Sequence, residues 1–210
     1  MSALILGLIL FLGAHSVRIV ADDWRSAQVA RLGLPAWKGL YSVVSIIGLV
    51  LIVWGYGMAR QAPIVVWSPP VFTRHLSSLL TLAAFVLLTA AYVPGNRIRR
   101  AVGHPMVAGV KLWALAHLLA NGSVADLLLF GSVLVWAIFD FRAARRRDRT
   151  AAAAGPAAAG VPGAAAAPAV AARSAGSLAG DVVTVLLGVF AWAVFALYLH
   201  AWLFGVRPFG

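Results

Sequence analysis

Long apolar runs, separated by short polar or proline-containing gaps, occupy most of the chain. The runs are close to the ~20 residues that an α-helix needs to cross the hydrocarbon core of a bilayer. Pro69 and Pro94 lie in two of the gaps, and proline does not continue a helix. The pattern therefore predicts six transmembrane helices, at roughly Ala3–Val20, Gly39–Met58, Phe72–Tyr92, His104–Ala120, Val124–Phe141 and Gly180–Phe204.

Two gaps are longer than the others. The segment Ala21–Trp37 is polar and mixed, with Trp24 and Trp37 placed as anchors at a membrane interface. The segment Arg145–Ser177 begins with arginines and becomes an alanine, glycine and proline tract without apolar periodicity. This tract predicts a disordered linker, with short alanine-rich helical pieces between its prolines as the alternative. The chain then forms one domain interrupted by the linker: residues 1–144 with five helices, 145–177 as the linker, and 178–210 with the sixth helix and a tail.

The composition excludes a soluble globular domain. Apolar residues make up 62% of the 210 residues and charged residues only 11%, whereas soluble domains are roughly 45–50% apolar. The mean hydropathy is +0.93. The formal charge of +11 does not indicate a nucleic-acid partner, because the basic residues lie in the gaps between apolar runs. The partner that this composition predicts is the lipid bilayer.

The basic residues are concentrated in alternate gaps. Most of the 17 lysines and arginines lie within residues 18–38, 97–100 and 142–173. These three segments share one side of the membrane if successive helices alternate in direction, and the positive-inside rule assigns that side to the cytoplasm. The predicted fold class is an all-α, polytopic bundle of six transmembrane helices with both termini outside. The predicted location is a membrane that the chain crosses several times.

The chemistry available to the chain is narrow. It has 5 histidines and no cysteine, and its 6 acidic residues are all aspartates that fall mostly outside the apolar runs. The lack of cysteine excludes disulfides, thiolate metal sites and covalent haem attachment through a Cys-x-x-Cys-His motif. Imidazoles in membrane helices favour a haem or a small metal site with nitrogen ligands. The histidines are His15, His75, His104, His117 and His200.

His15 and His117 are the histidines that lie deepest in the predicted helices. At ~1.5 Å per residue they lie ~18 Å and ~6–10 Å below the outer face, and helix tilt can absorb this difference. Two imidazoles from different helices can hold one haem iron axially. Phe11 and Trp113, each four residues before one of these histidines, would pack on the haem. The pair therefore predicts bis-histidine iron ligation.

Two basic residues are candidates to bind the propionates of such a haem. Arg18 follows His15 by three residues and lies on the same helix face. Lys111 lies near the middle of the fourth helix, where an unpaired charge is costly. Asp126 and Asp140 in the fifth helix are the alternative partners for this lysine.

The other histidines have competing interpretations. His104 precedes Pro105 at the start of the fourth helix, so it is either a cofactor-binding residue or a residue that begins the helix. His75, beside Arg74, is typical of a polar residue at the interface rather than of a ligand. His200 stays open between these two roles. The sequence assigns no catalytic residue.

Segments spread over nearly the whole chain, apart from the Ala/Gly/Pro linker, resemble the NnrU family. The most specific are residues 103–105 (Gly-His-Pro) and 113–122 (Trp-Ala-Leu-Ala-His-Leu-Leu-Ala-Asn-Gly). The others are residues 11–18, 39–42 and 199–205. The family is associated with denitrification and with the expression of nitrite and nitric oxide reductases. The resemblance implies a protein of the bacterial inner membrane that acts in nitrite and nitric oxide metabolism, with denitrification enzymes as partners.

The NnrU family is itself similar to the plant zeta-carotene isomerase, a membrane enzyme that uses haem b to move a carbon–carbon double bond from cis to trans. Its proposed haem-binding histidines lie in a His-Ser motif of the first helix and in a later His-x12-His segment. Matched motif to motif, these positions are His15 and His117, with His104 as the neighbouring histidine. The resemblance thus implies haem b as the cofactor, held by His15 and His117.

Three functions stay open at this point. The first is a haem b protein that acts in electron transfer, nitric oxide handling or sensing. The second is a haem-dependent cis–trans isomerase of a carotenoid-like polyene. The third is a non-enzymatic membrane assembly factor for denitrification enzymes, in which the histidines are structural.

Overall fold

The computed structural model describes residues 1–154 and 176–209. These residues form helices joined by turns, with one isolated antiparallel bridge between Val65 and Ser123 and no strand among them. The predicted all-α class is therefore confirmed for the described residues. The helices are α1 (Ser2–Val20), α2 (Asp22–Leu32), α3 (Leu34–Ala59), α4 (Val71–Tyr92), α5 (Arg97–Val102), α6 (Pro105–Ala120), α7 (Val124–Ala154), α8 (Leu178–Val194) and α9 (His200–Phe204), with a π-helical turn at Phe195–Leu199 between the last two.

Among the described residues, five helical segments are long and apolar enough to cross a membrane: α1, α3, α4, α7 and the continuous stretch Leu178–Phe204. They indicate a multi-pass membrane protein. The predicted fourth membrane helix corresponds to α6, which is apolar but has only 16 residues. Its length is about 24 Å, less than the ~30 Å of a hydrocarbon core.

α6 packs against α4. The Ser77 hydroxyl of α4 donates a 2.7 Å hydrogen bond to the carbonyl oxygen of Ala116, near the end of α6. Toward the start of α6, a Cβ added at Gly109 would lie 2.9 Å from the carbonyl oxygen of Ala84 and 3.2 Å from the Leu88 side chain. Later residues of α4 thus meet earlier residues of α6, so the two helices are antiparallel.

The polar segment Ala21–Trp37 contains α2, a helix that the apolar pattern does not predict. Its first turn carries Asp22 and Asp23, and its last turn carries Arg31. The helix dipole favours negative charge at the N-terminal end and positive charge at the C-terminal end, so both placements are stabilising. The helix ends at Gly33, whose φ of 81° lies in the left-handed region that glycine adopts without strain.

α5 is the second unpredicted helix, and it depends on the side chain of Asn96. The Asn96 amide nitrogen donates to the carbonyl oxygen of Ala90 at 3.0 Å, near the end of α4. Its side-chain oxygen accepts from the backbone N–H of Arg99 at 2.6 Å, in the first turn of α5. The buried Asn96 therefore satisfies backbone groups at both helix ends and sets the turn between them.

α7 extends beyond the end predicted at Phe141. It continues to Ala154, so residues 145–154 follow the alternative interpretation of the linker, a short alanine-rich helical piece, rather than disorder. Alanine and arginine both favour helix, and the next helix breakers in the sequence are Gly155 and Pro156. The helix was predicted to end at Phe141 because the residues after it are no longer mostly apolar. The helix propensity of those residues stays high, so the helix continues. Residues 155–175 of the predicted linker lie outside the described residues.

The described residues divide into two compact units. Unit 1 consists of Met1–Ser77 and Trp113–Asp140. Unit 2 consists of Ser78–Leu112 and the described part of Phe141–Gly210. His15, Arg18 and His117 therefore belong to unit 1.

Close packing of α1 on α3 holds unit 1 together. A Cβ added at Gly7 would lie 2.6 Å from the backbone nitrogen of Ile52, and one added at Gly48 would lie 2.8 Å from that of Phe11. Small residues allow this close approach between membrane helices. The buried core beside them contains Leu4, Leu8, Ile52 and Ala125. This packing fixes the level at which α1 presents His15.

Candidate functional site

His15 is half-buried on α1 and is surrounded by aromatic rings. Its Nδ1 lies 2.7 Å from the carbonyl oxygen of Phe11, one turn earlier. The imidazole centroid is 4.2 Å from the Phe11 ring, 5.2 Å from the Tyr41 ring and 5.9 Å from the Trp136 ring. Side chains from α1, α3 and α7 thus fix this imidazole.

His117 is half-buried near the end of α6. Its Nδ1 lies 2.8 Å from the carbonyl oxygen of Trp113. The imidazole centroid is 4.8 Å from the Trp113 ring and 4.6 Å from the Phe130 ring, which lies at 30° to it. The Asn121 amide donates to the carbonyl oxygen of His117 at 2.8 Å and closes the end of the helix.

The two imidazoles share one hydrogen-bond arrangement. In each, Nδ1 faces the carbonyl oxygen of the residue four positions earlier. A carbonyl is only an acceptor, so this contact assigns the ring proton to Nδ1 and the acceptor lone pair to Nε2. Metal-binding histidines commonly have such a contact, because the carbonyl orients the ring and fixes the tautomer.

α7 contacts both imidazoles. Trp136 meets His15 and Phe130 meets His117. Trp136 and Phe130 are ~9 Å apart along the helix axis. Unit 1 therefore brings the two predicted ligands to neighbouring levels of one helix. Within residues 1–154 and 176–209, no cluster of three or more His, Cys, Asp or Glu side chains has the arrangement of a metal site.

The indole nitrogen of Trp136 is a buried donor in this region. Among the described residues, Nε1 of Trp136 has no acceptor within hydrogen-bond distance. Buried donors are generally paired, and leaving one unpaired costs about 1–3 kcal/mol. A bound group that carries an acceptor near the His15 ring would satisfy this donor.

A buried carboxylate supports the position of Phe130. Asp126, in the first turn of α7, accepts from the Tyr56 hydroxyl at 2.6 Å, from the Ser123 hydroxyl at 2.6 Å and from the Ser123 backbone N–H at 2.9 Å. The Tyr56 ring also packs edge-on against Phe130 at 6.2 Å. These contacts join α3 to α7 and place Phe130 beside His117.

His104 and Lys111 belong to unit 2. Nε2 of His104 lies 2.8 Å from Oδ2 of Asp148, and Nζ of Lys111 lies 3.7 Å from the ring centroid of Phe141, a cation–π contact. Asp126, one of the two acids predicted as partners for Lys111, belongs to unit 1. The ring nitrogen of His104 that faces Asp148 is thus engaged by a carboxylate, and the ammonium of Lys111 by an aromatic face.

The remaining predicted residues lie in more open positions. Arg18 is exposed near the end of α1, and His75 is exposed on α4. His200 follows the π-helical turn, and its Nδ1 lies 2.7 Å from the carbonyl oxygen of Val206. Its ring packs against Phe204 at 5.1 Å. These contacts connect His200 to the last residue of α9 and to the residues that follow it, so they are explained by a role in ending that helix.

An apolar groove of about 180 Å³ opens in unit 1 beside Tyr41. The rings of Trp24 and Trp37 pack edge to face at 5.9 Å along it, so the two predicted interface anchors pack on each other. Tyr41 borders both the groove and the ring of His15. The lining also includes Ala14, Val17, Leu40 and Val44.

Sequence reasoning did not find Tyr41, Phe130 and Trp136. Tyr41 lies in residues 39–42, one of the segments of the family resemblance, and that signal could have singled it out. Phe130 and Trp136 lie in a uniformly apolar run, where no pattern separates a ring against an imidazole from a ring in the core or in lipid.

Comparison with protein-family models matches the description "NnrU protein" over residues 3–208. No curated protein matches the chain, and no solved structure matches it. The family match runs from α1 to the residues after α9 and contains both His15 and His117. By this match over nearly its whole length, the chain belongs to the NnrU family.

Proposed function

We propose that this NnrU-family chain is a haem b membrane protein in which His15 and His117 hold the iron. The observation that carries the proposal is the arrangement that the two imidazoles share: Nδ1 faces a carbonyl oxygen of the preceding turn, within the same unit. With the ring proton on Nδ1, Nε2 is the nitrogen through which each ring would ligate iron. Histidine is a common ligand of haem iron in helical proteins.

The surroundings of the imidazoles fit this cofactor. Aromatic rings flank both histidines, and an apolar environment suits a porphyrin. The unpaired indole donor of Trp136 can serve an acceptor on the bound group, and Arg18 can pair with a propionate. A bound haem would supply a redox-active iron that could take a small ligand in place of one histidine. The chain's own residues orient the imidazoles, hold their tautomers and exclude water.

The family's association with denitrification extends the proposal to nitrite and nitric oxide metabolism in a bacterial inner membrane. The test is to purify the full chain in detergent after expression with ample haem. A pyridine haemochrome assay should give stoichiometric haem b, and nitric oxide added to the reduced protein should change its absorption spectrum. Colourless protein would overturn the proposal and favour the assembly-factor function.

The apolar groove beside Tyr41 favours a second candidate, a haem-dependent isomerase of a polyene. A long apolar substrate in this groove would lie within one side chain of His15. Under reducing conditions, the protein should convert a cis carotenoid to its trans isomer, measured by chromatography. Ala14→Phe, which fills the groove, should abolish conversion and keep the haem spectrum. Conversion that survives this substitution would exclude the groove as the substrate site.

The proposal includes six membrane crossings with both termini outside. α6 is short, but it packs antiparallel to α4. A helix in this orientation returns the chain to the side of the membrane on which α4 starts. The packing therefore supports a membrane crossing by α6. The segments richest in basic residues fall on one side in that arrangement, as the positive-inside rule requires.

A further inference from the structure

The last 13 of the 31 residues of α7 extend past the apolar part of the helix and are rich in arginine. α7 has 31 residues and is therefore about 46 Å long, whereas a hydrocarbon core is ~30 Å thick. Its apolar run ends at Phe141, and Arg142 follows directly. The turns after Phe141 thus begin where the apolar surface of the helix stops.

The arginines of this extension are concentrated on one side of the helix. At 100° per residue, Arg142, Arg145, Arg146 and Arg149 fall within one face of about 100°. All are exposed. Arg147 points away from this face and is half-buried. A face of this kind presents several guanidinium groups to a single partner.

The start of α6 holds α5 beside this face, within unit 2. His104 contacts Asp148 at 2.8 Å, and a Cβ added at Gly103 would lie 3.3 Å from Nη1 of Arg145. Gly103 directly follows α5, whose exposed Arg99 and Arg100 therefore add to the positive charge. We call the residues Arg99, Arg100, Arg142, Arg145, Arg146 and Arg149 the arginine face.

Two carboxylates close to the arginine face, Asp148 and Asp181, already have partners. Asp148 contacts His104. Asp181 accepts from the backbone N–H of Arg97 at 2.6 Å and lies 3.8 Å from its Nε. These two carboxylates therefore do not account for the charge of the arginine face, and an external anion is the partner that this charge fits.

We propose that the arginine face binds the phosphate groups of anionic phospholipids at the membrane surface. The apolar run of α7 ends at the residue before Arg142, which puts the face at the level of the lipid headgroups. Guanidinium groups bind phosphate oxygens in pairs of parallel hydrogen bonds. Basic residues at such a surface are attracted to anionic lipids. A nucleic acid would have to approach the same face through the headgroup layer.

Native mass spectrometry of the full chain in detergent tests the proposal, with phosphatidylglycerol and phosphatidylcholine as probes. The wild-type chain should retain phosphatidylglycerol in preference to phosphatidylcholine. Arg142→Gln/Arg146→Gln/Arg149→Gln should bind phosphatidylglycerol about tenfold or more weakly. The matched control is Arg25→Gln/Arg31→Gln/Lys38→Gln, which removes the same charge from unit 1. It should weaken binding clearly less, because these three residues lie on two helices and do not share one face.

Further variants separate lipid binding from charge and from folding. Arg142→Lys/Arg146→Lys/Arg149→Lys keeps the charge and should retain part of the preference, because the paired hydrogen bonds are lost and the attraction stays. All variants should elute as monodisperse protein in size-exclusion chromatography. Equal loss in both glutamine triples, equal retention of the two lipids, or tighter binding of a duplex oligonucleotide than of phosphatidylglycerol would overturn the proposal.

Discussion

The hydroxyl of Tyr56 on α3 donates a 2.6 Å hydrogen bond to the buried carboxylate of Asp126 at the start of α7. The same carboxylate accepts two hydrogen bonds from Ser123. The bond between Tyr56 and Asp126 joins two membrane-spanning helices, and the Tyr56 ring also packs against Phe130. It therefore links the stability of unit 1 to the position of the ring beside His117.

Tyr56→Phe should lower the free energy of unfolding by about 1–3 kcal/mol, because a buried carboxylate loses a hydrogen bond. Unfolding by titration with sodium dodecyl sulfate measures the change. The matched control is Tyr92→Phe, at a tyrosine that is 74% exposed, and its effect should be near zero. Equal stability of Tyr56→Phe and the wild type would show that the hydrogen bond is not stabilising.

Gly7→Ala should also destabilise the protein, by about 1–3 kcal/mol. The new methyl group would meet the backbone of Ile52, and α1 would have to move away from α3. Gly13 lies on the same helix with nothing within 4 Å of an added Cβ. Gly13→Ala should be neutral or slightly stabilising, since alanine favours helix more than glycine does. The same detergent titration should separate the two variants; a similar loss in both would contradict close packing at Gly7.

The apolar runs predict where the membrane helices lie, because each side chain that faces lipid must be apolar, whichever residues pack beside it. It could not predict α2 and α5. α2 depends on dipole charges and a glycine stop, and α5 depends on the two-sided hydrogen bonding of Asn96. The end of α7 was misplaced because hydropathy and helix propensity change at different residues, Phe141 and Gly155.

The candidate site was predictable only in part. His15 and His117 stand out in sequence because imidazoles are rare and costly in a bilayer. The rings of Tyr41 and Trp136, which contact His15, come from other helices. Nothing in the local sequence indicates that these rings meet the imidazole. The sequence did not indicate the partner of Lys111 for a similar reason. Its ammonium group contacts the ring of Phe141, whereas the sequence predicted an aspartate as its partner.

The pair of His104 and Asp148 should tether the extension of α7. Asp148→Ala should increase hydrogen exchange in residues 142–154, measured by mass spectrometry, because one of the contacts that hold this extension is lost. The pair is partly exposed, so its coupling should be no more than about 1 kcal/mol. His104→Ala should have a similar effect, and the double variant should add little to either. Asp23→Ala, at an exposed aspartate of α2, is the control; additive effects of His104→Ala and Asp148→Ala would contradict the tether.

Single cysteines can test the topology, because the chain has no native cysteine. In intact cells, a membrane-impermeant maleimide should label Gln61→Cys and Arg207→Cys. It should label Ser26→Cys and Thr150→Cys only after permeabilisation. If α6 does not cross the membrane, Thr150→Cys becomes accessible and Arg207→Cys becomes protected, whereas the other two positions do not change. That outcome would contradict six crossings.

The most direct test of haem ligation by His15 and His117 is the absorption spectrum of the purified full chain, recorded before and after addition of dithionite. We expect a Soret band, with sharp α and β bands on reduction, in the wild type and in His75→Ala, which replaces an exposed histidine. We expect these bands to be lost or strongly altered in His15→Ala and in His117→Ala. A colourless wild-type protein, or unchanged spectra in both ligand variants, would contradict it.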